Sequence, residues 1–148
     1  MVRWLPSLFA VALLVGCAAD QTPVEGMQQK AALENTDWKL TRLGDSPVTT
    51  GPGQREPHLV LRGQDRRVSG FTGCNQMAGS YTLDGRALSF GQMISTKMAC
   101  LGGGMETETA FTAALQQVRA WSITGQTLTL SDGVGQPVVM LESRGPAP

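Results

Sequence analysis

The segment Tyr81-Thr82-Leu83-Asp84-Gly85-Arg86-Ala87-Leu88-Ser89-Phe90 decides the fold class of this chain. Apolar residues alternate with polar ones on both sides of Asp84-Gly85, which is typical of half-buried strands. The Asp-Gly pair supplies the positive φ angles that a tight turn between antiparallel strands needs. The segment therefore predicts a β-hairpin with one face in a core.

The same alternation recurs before and after this hairpin, in short runs separated by turn residues. Gly125-Gln126 and Asp132-Gly133 separate the last three runs, which predicts a meander of three strands. The apolar residues of all these further runs are Trp38, Leu40, Leu59, Leu61, Val68, Phe71, Trp121, Ile123, Leu128, Leu130, Val139 and Leu141. The strands are expected to form either an open antiparallel sheet or a partly closed barrel.

One stretch, residues 105–119, departs from the period of two. Phe111, Leu115 and Val118 follow helical spacing and predict one amphipathic helix. The fold class expected is therefore α+β, a small antiparallel β-rich sheet or partly closed barrel with one amphipathic helix.

Two features at the start of this helix have structural interpretations. Glu106 and Glu108 are expected in the first turn, where acidic side chains complement the helix dipole. Gly102-Gly103-Gly104 precedes the helix but lacks the Lys and the Ser or Thr of a phosphate-binding loop, so a flexible connector is expected.

The first sixteen residues have the parts of an export signal: Arg3, then an apolar run over residues 5–15, then small residues. The run is shorter than the roughly 20 residues that span a bilayer as a helix. It ends in Leu14-Val15-Gly16-Cys17, which resembles the lipobox of bacterial lipoproteins. The resemblance implies cleavage before Cys17 and attachment there of a lipid with fatty acyl chains such as palmitate. An ordinary secretory signal is the alternative.

The expected organisation follows from these boundaries. Residues 1–16 form the lipoprotein signal peptide, and residues 17–34 form a lipidated flexible tether interrupted by Pro23 and Gly26. Residues 35–143 form one domain, and residues 144–148 form a disordered tail. Ala18 rather than Asp follows Cys17, which by resemblance to known sorting signals favours the outer membrane, with the domain facing the periplasm.

Charge excludes one class of partner. The chain has 12 basic and 12 acidic residues, so no basic surface for nucleic acid is expected. The only local cluster, Arg62, Arg66 and Arg67, is interpreted as a solvated hairpin end.

Lipidation of Cys17 leaves two cysteines, Cys74 and Cys100, in an oxidising compartment. A disulfide between them would stabilise the domain by ~3 to 4 kcal/mol on the chain-entropy model. Two buried free thiols are the alternative.

Three segments together resemble the META domain family, in its HslJ-like lipoprotein branch. They are Asn35-Thr36-Asp37-Trp38-Lys39-Leu40, Gly70-Phe71-Thr72-Gly73-Cys74-Asn75 and Thr96-Lys97-Met98-Ala99-Cys100. The resemblance covers about residues 35–142. It implies a small α+β or barrel-like fold and a role in envelope stress or drug tolerance, and it implies no reaction.

The family motif residues are Trp38, Gly73, Cys74, Asn75, Thr96, Met98 and Cys100. Gly73 and Asn75 are interpreted as residues that tolerate left-handed backbone conformations. Trp38 and Trp121 are expected to be core anchors. Met93, Met98 and Met105 are expected to fill the core rather than form a soft surface for an apolar partner.

No catalytic set, metal site or cofactor site is expected. His58 is the only histidine, and zinc needs three or four Cys, His or carboxylate ligands. No nucleophile elbow surrounds Ser69, Ser80 or Ser89. The leading hypothesis is a non-enzymatic envelope lipoprotein that is anchored in the membrane through Cys17 and binds an envelope protein or a small apolar ligand. The alternative is a protease inhibitor that uses the turn at Gly51-Pro52-Gly53.

Overall fold

The computed structural model describes residues 30–148, so the predicted signal peptide, Cys17 and most of the predicted tether lie outside the described residues. One helix in this part of the chain, α1, spans Gly104–Gln117. The strands are β1 Thr36–Leu43, β2 Ser46–Pro47, β3 His58–Arg62, β4 Arg67–Phe71, β5 Gln76–Asp84, β6 Ala87–Phe90, β7 Ile94–Ser95, β8 Ala120–Thr124, β9 Thr127–Ser131 and β10 Pro137–Pro146.

Eight of these strands form a closed antiparallel barrel. Its order is β1-β3-β4-β5-β6-β8-β9-β10, and β10 pairs with β1 to close it. The short strands β2 and β7 pair with β1 and β5 respectively. The predicted β-rich α+β fold with one helix is confirmed, and the barrel is closed rather than partly closed.

The hairpin predicted at Asp84-Gly85 joins β5 to β6. Tyr81 pairs with Phe90 and Leu83 with Leu88, and Gly85 adopts the positive φ of 55° that the turn needs. Tyr81, Leu88 and Phe90 are buried. The hairpin is thus the one that its sequence pattern predicts.

The barrel core is filled by alternate strand residues and by one face of α1. Phe111, Ala114 and Leu115 of the helix are buried against the strand residues. The helix ends two residues earlier than predicted, and Val118 follows it in extended backbone while remaining buried. Helix α1 contacts β10, β6 and β1. No helix in the described part of the chain is long and apolar enough to cross a bilayer.

The ordered domain extends beyond residues 35–143 at both ends. Leu33 is buried, and its carbonyl accepts a hydrogen bond from Trp38 Nε1 at 2.9 Å. Strand β10 continues to Pro146, which pairs with Thr36, and the Ala147 N–H donates to Asn35 O. The tail prediction for residues 144–148 is therefore wrong up to Pro146, because pairing with β1 uses this backbone.

Tyr81 ties the N-terminal segment to the β3–β4 hairpin end. Its hydroxyl donates to Glu34 Oε1 at 2.5 Å, and Arg66 Nη1 donates to the same oxygen at 2.7 Å. Burial, followed by the hydrogen bond and charge of Glu34, raises the pKa of Tyr81 to about 12. Arg62, Arg66 and Arg67 are exposed, as predicted for a hairpin end, and Arg66 is also fastened to Glu34.

Candidate functional site

The family motif residues other than Trp38 meet at one end of α1. The turn from Thr72 to Asn75 joins β4 to β5, and residues 96–100 run beside it before α1 begins. Trp38 lies apart from them in β1, fully buried, as predicted for a core anchor. Trp121 is only half-buried, and its Nε1 donates to Gly85 O.

The turn before β5 is held by hydrogen bonds of its own. The Thr72 N–H donates to Asn75 O at 2.9 Å, and the Asn75 N–H donates to the Thr72 hydroxyl at 3.1 Å. Gly73 has a φ of 108°, as interpreted from the sequence, and a Cβ there would lie 3.3 Å from the Thr107 side chain. The glycine therefore lets the turn lie against α1.

The side chain of Asn75 uses its full hydrogen-bonding capacity. Its Oδ1 accepts from the Met98 N–H and the Thr96 hydroxyl, both at 2.8 Å. Its Nδ2 donates to Met98 O at 3.2 Å and to Glu108 Oε2 at 2.8 Å. The interpretation of Asn75 as a left-handed backbone residue is wrong, because the positive-φ non-glycine residues described are Asn35 and Arg66.

Glu108 completes this network from the helix. Its Oε2 also accepts from the Thr72 hydroxyl at 2.9 Å. The predicted first-turn role applies to Glu106, whereas Glu108 lies in the next turn and faces the 72–75 turn. The roles of Thr72 and Glu108 in this network do not follow from the sequence, because neither residue belongs to a recognisable chemical motif.

A disulfide also holds the segment before α1 in place. Cys74 and Cys100 are bridged with their Cα atoms 5.7 Å apart, within the range that a disulfide requires. Cys74 is buried, so the bridge runs from the core side of the turn to the partly exposed Cys100. Bridged sulfurs cannot act as thiolate nucleophiles.

Four large apolar side chains are exposed in and beside this segment. Ile94 is 64% exposed, Met98 60%, Leu101 96% and Met105 51%. The core-filling prediction is therefore wrong for Met98 and Met105, whereas Met93 is half-buried and packs against the core. Among the described residues, Val134 is the one other large hydrophobic residue that is exposed.

An open groove separates this segment from the outer face of α1; we call it the α1 groove. Its larger section has a volume of about 620 Å³ and its smaller section, nearer the start of the helix, about 340 Å³. These volumes fall within the range of ligand-binding clefts. Its walls are Asn75, Met93, Ile94, Ser95, Lys97, Met98 and Ala99 on one side, and Met105, Glu108, Thr109, Thr112, Ala113 and Gln116 on the helix side.

Lys97 lines both sections of the groove. Its side chain has no ion pair or hydrogen bond to any residue between 30 and 148. The groove thus combines apolar side chains with two charged groups, Lys97 and Glu108, that form no ion pair with each other.

The other residues considered from the sequence lie outside the groove. His58 stacks on Phe71, with ring centroids 6.5 Å apart, and its Nδ1 lies 3.1 Å from Glu56 O. Gly51-Pro52-Gly53 is an exposed turn, in which the Gly51 N–H donates to Gln54 Oε1. Within the described chain, no three His, Cys, Asp or Glu side chains are grouped so that they could hold a metal ion.

The protein is a small closed antiparallel barrel with one helix against its core. Its Gly-Cys-Asn turn is bridged by a disulfide to the segment before that helix. The sequence profile of the META domain family matches residues 31–145. The chain therefore belongs to the META domain family.

Solved structures support the same fold. A protein from Burkholderia xenovorans, solved by NMR, is 29% identical, with a TM-score of 0.60 over 75% of this chain and 83% of that one. A second protein solved by NMR is 21% identical, with a TM-score of 0.59 over 74% and 90% of the two chains. A DUF4847 family protein from Bacteroides vulgatus is 11% identical, with a TM-score of 0.53 over 74% and 93%, and shows the fold alone. No curated protein matches the chain significantly.

Proposed function

We propose that this META domain protein is a non-enzymatic binding module of the cell envelope, which holds an apolar partner in the α1 groove during envelope maintenance or stress tolerance. The observation that carries the proposal is the concentration of exposed apolar side chains at Ile94, Met98 and Met105, all of which line the α1 groove. Clustered exposed apolar residues on a soluble domain mark interaction sites, whereas scattered ones need no explanation.

The contacts that hold residues 96–100 in place favour binding. The disulfide and the Asn75 amide hold residues 96–100 at two places, so little conformational freedom is left to lose when a partner binds. A surface that is rigid before binding loses less conformational entropy when the partner binds, so more of its contact energy appears as affinity. The buried motif residues thus hold this surface in place, and the side chains of Met98 and Met105 would contact the partner.

The same contacts support a function without catalysis. The polar atoms of Asn75 and the Oε2 of Glu108 are engaged by neighbouring residues, and the two cysteines of the site are bridged. A general acid, base or nucleophile needs a free atom that can reach a substrate.

The proposed location follows from the lipobox resemblance. Lipidation at Cys17 would anchor the protein in the outer membrane, with the domain facing the periplasm. Several acyl chains on one residue anchor a protein firmly, because each buried methylene contributes ~0.8 kcal/mol. The barrel begins near Leu33, so a short tether would keep the groove close to the membrane.

Site-specific photocrosslinking in living cells tests the binding function. A photoreactive residue at position 98 or 105 is expected to give a discrete crosslinked product. The same residue at position 134 is the matched control, because Val134 is 82% exposed but lies in the turn between β9 and β10, outside the groove lining. Equal crosslinking at the three positions, or none at 98 and 105, would refute a binding role for the α1 groove.

A further inference from the structure

Strand β7 leaves one backbone edge unpaired. In the part of the chain that the structure describes, β7 pairs with β5 and with no second strand. An unpaired strand edge presents N–H and C=O groups that another extended chain can pair with. Both residues of β7, Ile94 and Ser95, line the α1 groove.

The register identifies the backbone groups on the unpaired edge of β7. The Thr96 N–H donates to Gln76 O at 3.1 Å, which makes Thr96 and Gln76 a hydrogen-bonded pair. Hydrogen-bonded and non-hydrogen-bonded pairs alternate along antiparallel strands. Ser95, opposite Met77, is therefore in a non-hydrogen-bonded pair, and its N–H and C=O point away from β5.

The helix wall opposite β7 leaves room for such a chain. Thr109, Thr112 and Ala113 face the larger section of the groove, and all three have short side chains. An added strand lies about 4.8 Å from its neighbour, and its side chains point alternately to the two faces. One set would then contact the exposed Ile94 and Met98.

Charge selects the occupant further. Glu108 lines both sections of the groove, and its Oε2 accepts hydrogen bonds from Thr72 and Asn75. Lys97 lines the same two sections and forms no ion pair with any described residue, so a carboxylate on the bound molecule would complement it. A fatty acid would satisfy the charge and the apolar wall but would leave the Ser95 backbone unpaired. An extended peptide satisfies all three features.

We propose that the α1 groove binds an extended segment of a partner protein, which adds to the free edge of β7 as a strand and places an acidic group beside Lys97. This inference rests on the proposed function, since it names the kind of partner that the same surface would hold. Main-chain hydrogen bonds would supply affinity, and the apolar wall with Lys97 would supply the sequence preference.

A peptide experiment on the full-length exported protein, purified in detergent, tests the inference. Random short peptides displayed on phage are selected for binding, and the most enriched peptide is synthesised. Hydrogen exchange followed by NMR then reports on the Ser95 amide. Strand addition predicts that the peptide slows exchange at Ser95. It also predicts roughly tenfold weaker binding by Lys97→Glu, but not by Lys30→Glu, which changes an exposed lysine outside the groove.

The Ser95→Pro variant removes the N–H that the peptide needs and is expected to abolish binding. If this variant fails to fold, exchange at Ser95 in the unmodified protein still decides the question. Unchanged exchange at Ser95, or a peptide that binds as a helix, would overturn strand addition. If oleate binds instead, and Met98→Gln but not Val134→Gln weakens it, the groove remains a binding site but its occupant is not a peptide.

Discussion

The Asn75 amide nitrogen lies 2.8 Å from Oε2 of Glu108, and this contact joins the Gly-Cys-Asn turn to α1. The same amide binds residues 96 and 98 through its oxygen. One buried side chain therefore joins its own turn to α1 and to residues 96–98, and its removal takes away the hydrogen bonds that it makes to the Met98 N–H and C=O.

We expect Asn75→Ala to lower the free energy of unfolding by about 1 to 3 kcal/mol, the cost of leaving buried polar groups unsatisfied. Denaturant unfolding of the two proteins measures the difference. Gln136→Ala is the matched control, because this exposed amide lies in a turn, and a change within about 0.5 kcal/mol is expected. Equal losses in both variants would contradict the role given to Asn75.

Phe111 is fully buried on the inner face of α1. Phe111→Ala should cost ~3 to 5 kcal/mol, because the ring leaves a cavity in the barrel core. Met105→Ala on the same helix should cost much less, since that side chain is 51% exposed. Thermal unfolding compares the two variants, and an unchanged melting temperature for Phe111→Ala would place its ring outside the core.

The bridge between Cys74 and Cys100 spans 26 residues. Replacing both cysteines with Ala should lower the free energy of unfolding by ~3 to 4 kcal/mol on the chain-entropy model. Intact-mass measurement should find neither cysteine alkylated until reductant is added. Two alkylated cysteines before reduction would show that both thiols are free in the exported protein.

Tyr81 is the only tyrosine in the chain, so the absorbance of tyrosinate reports its ionisation directly. We expect a midpoint at about pH 12, above the ordinary pKa of 10.0, because burial and Glu34 oppose the phenolate. Glu34→Gln should bring the pKa closer to 10, and Glu106→Gln, at a distance from Tyr81, should leave it unchanged. A midpoint near 10 in the unmodified protein would contradict the buried contact with Glu34.

The raised pKa also predicts a loss of stability at high pH. The folded protein holds the Tyr81 proton more tightly than the unfolded chain, so this contribution is complete below pH 10 and falls as the pH rises from 10 to 12. Its size is about 2 to 3 kcal/mol, from ~1.36 kcal/mol for each pKa unit. Unfolding of the Tyr81→Phe variant across this range should show a smaller decline than that of the unmodified protein.

Processing is tested at Cys17. Cys17→Ser should abolish incorporation of labelled fatty acid and leave uncleaved precursor, because the lipid is attached to the cysteine sulfur. Replacement of Cys74 by Ser is the matched control and should leave lipidation intact. Normal maturation of the Cys17→Ser protein would refute the lipoprotein hypothesis.

Local patterns in the sequence predicted the elements of the fold, because alternation and turn residues act over a few positions. The Tyr81 to Phe90 hairpin and the buried face around Phe111 and Leu115 follow from such patterns. Closure of the barrel did not follow, because the pairing of β1 with β10 depends on residues far apart in the chain. The tail up to Pro146 was misassigned for the same reason.

The site was less predictable than the fold. The motif residues were recognised, but the backbone interpretation of Asn75 was wrong because its contacts to Met98 and Glu108 are tertiary. Met98 and Met105 were expected in the core, since an apolar residue in a sequence does not reveal its exposure. Lys97 and Ile94 could be recognised as candidate binding residues only from the structure, in which both line the α1 groove.

Closure of the barrel by its first and last strands has a consequence for how the chain folds. Thr41 Oγ1 donates to Met140 O, 99 residues further along the chain, and β1 cannot acquire this neighbour until β10 has been synthesised. Contacts between such distant residues slow folding, because the entropy of closing the loop is lost before the contacts form. A chain whose last strand closes the barrel therefore remains open during synthesis, and an unfolded chain is the form that can be threaded through a narrow export channel.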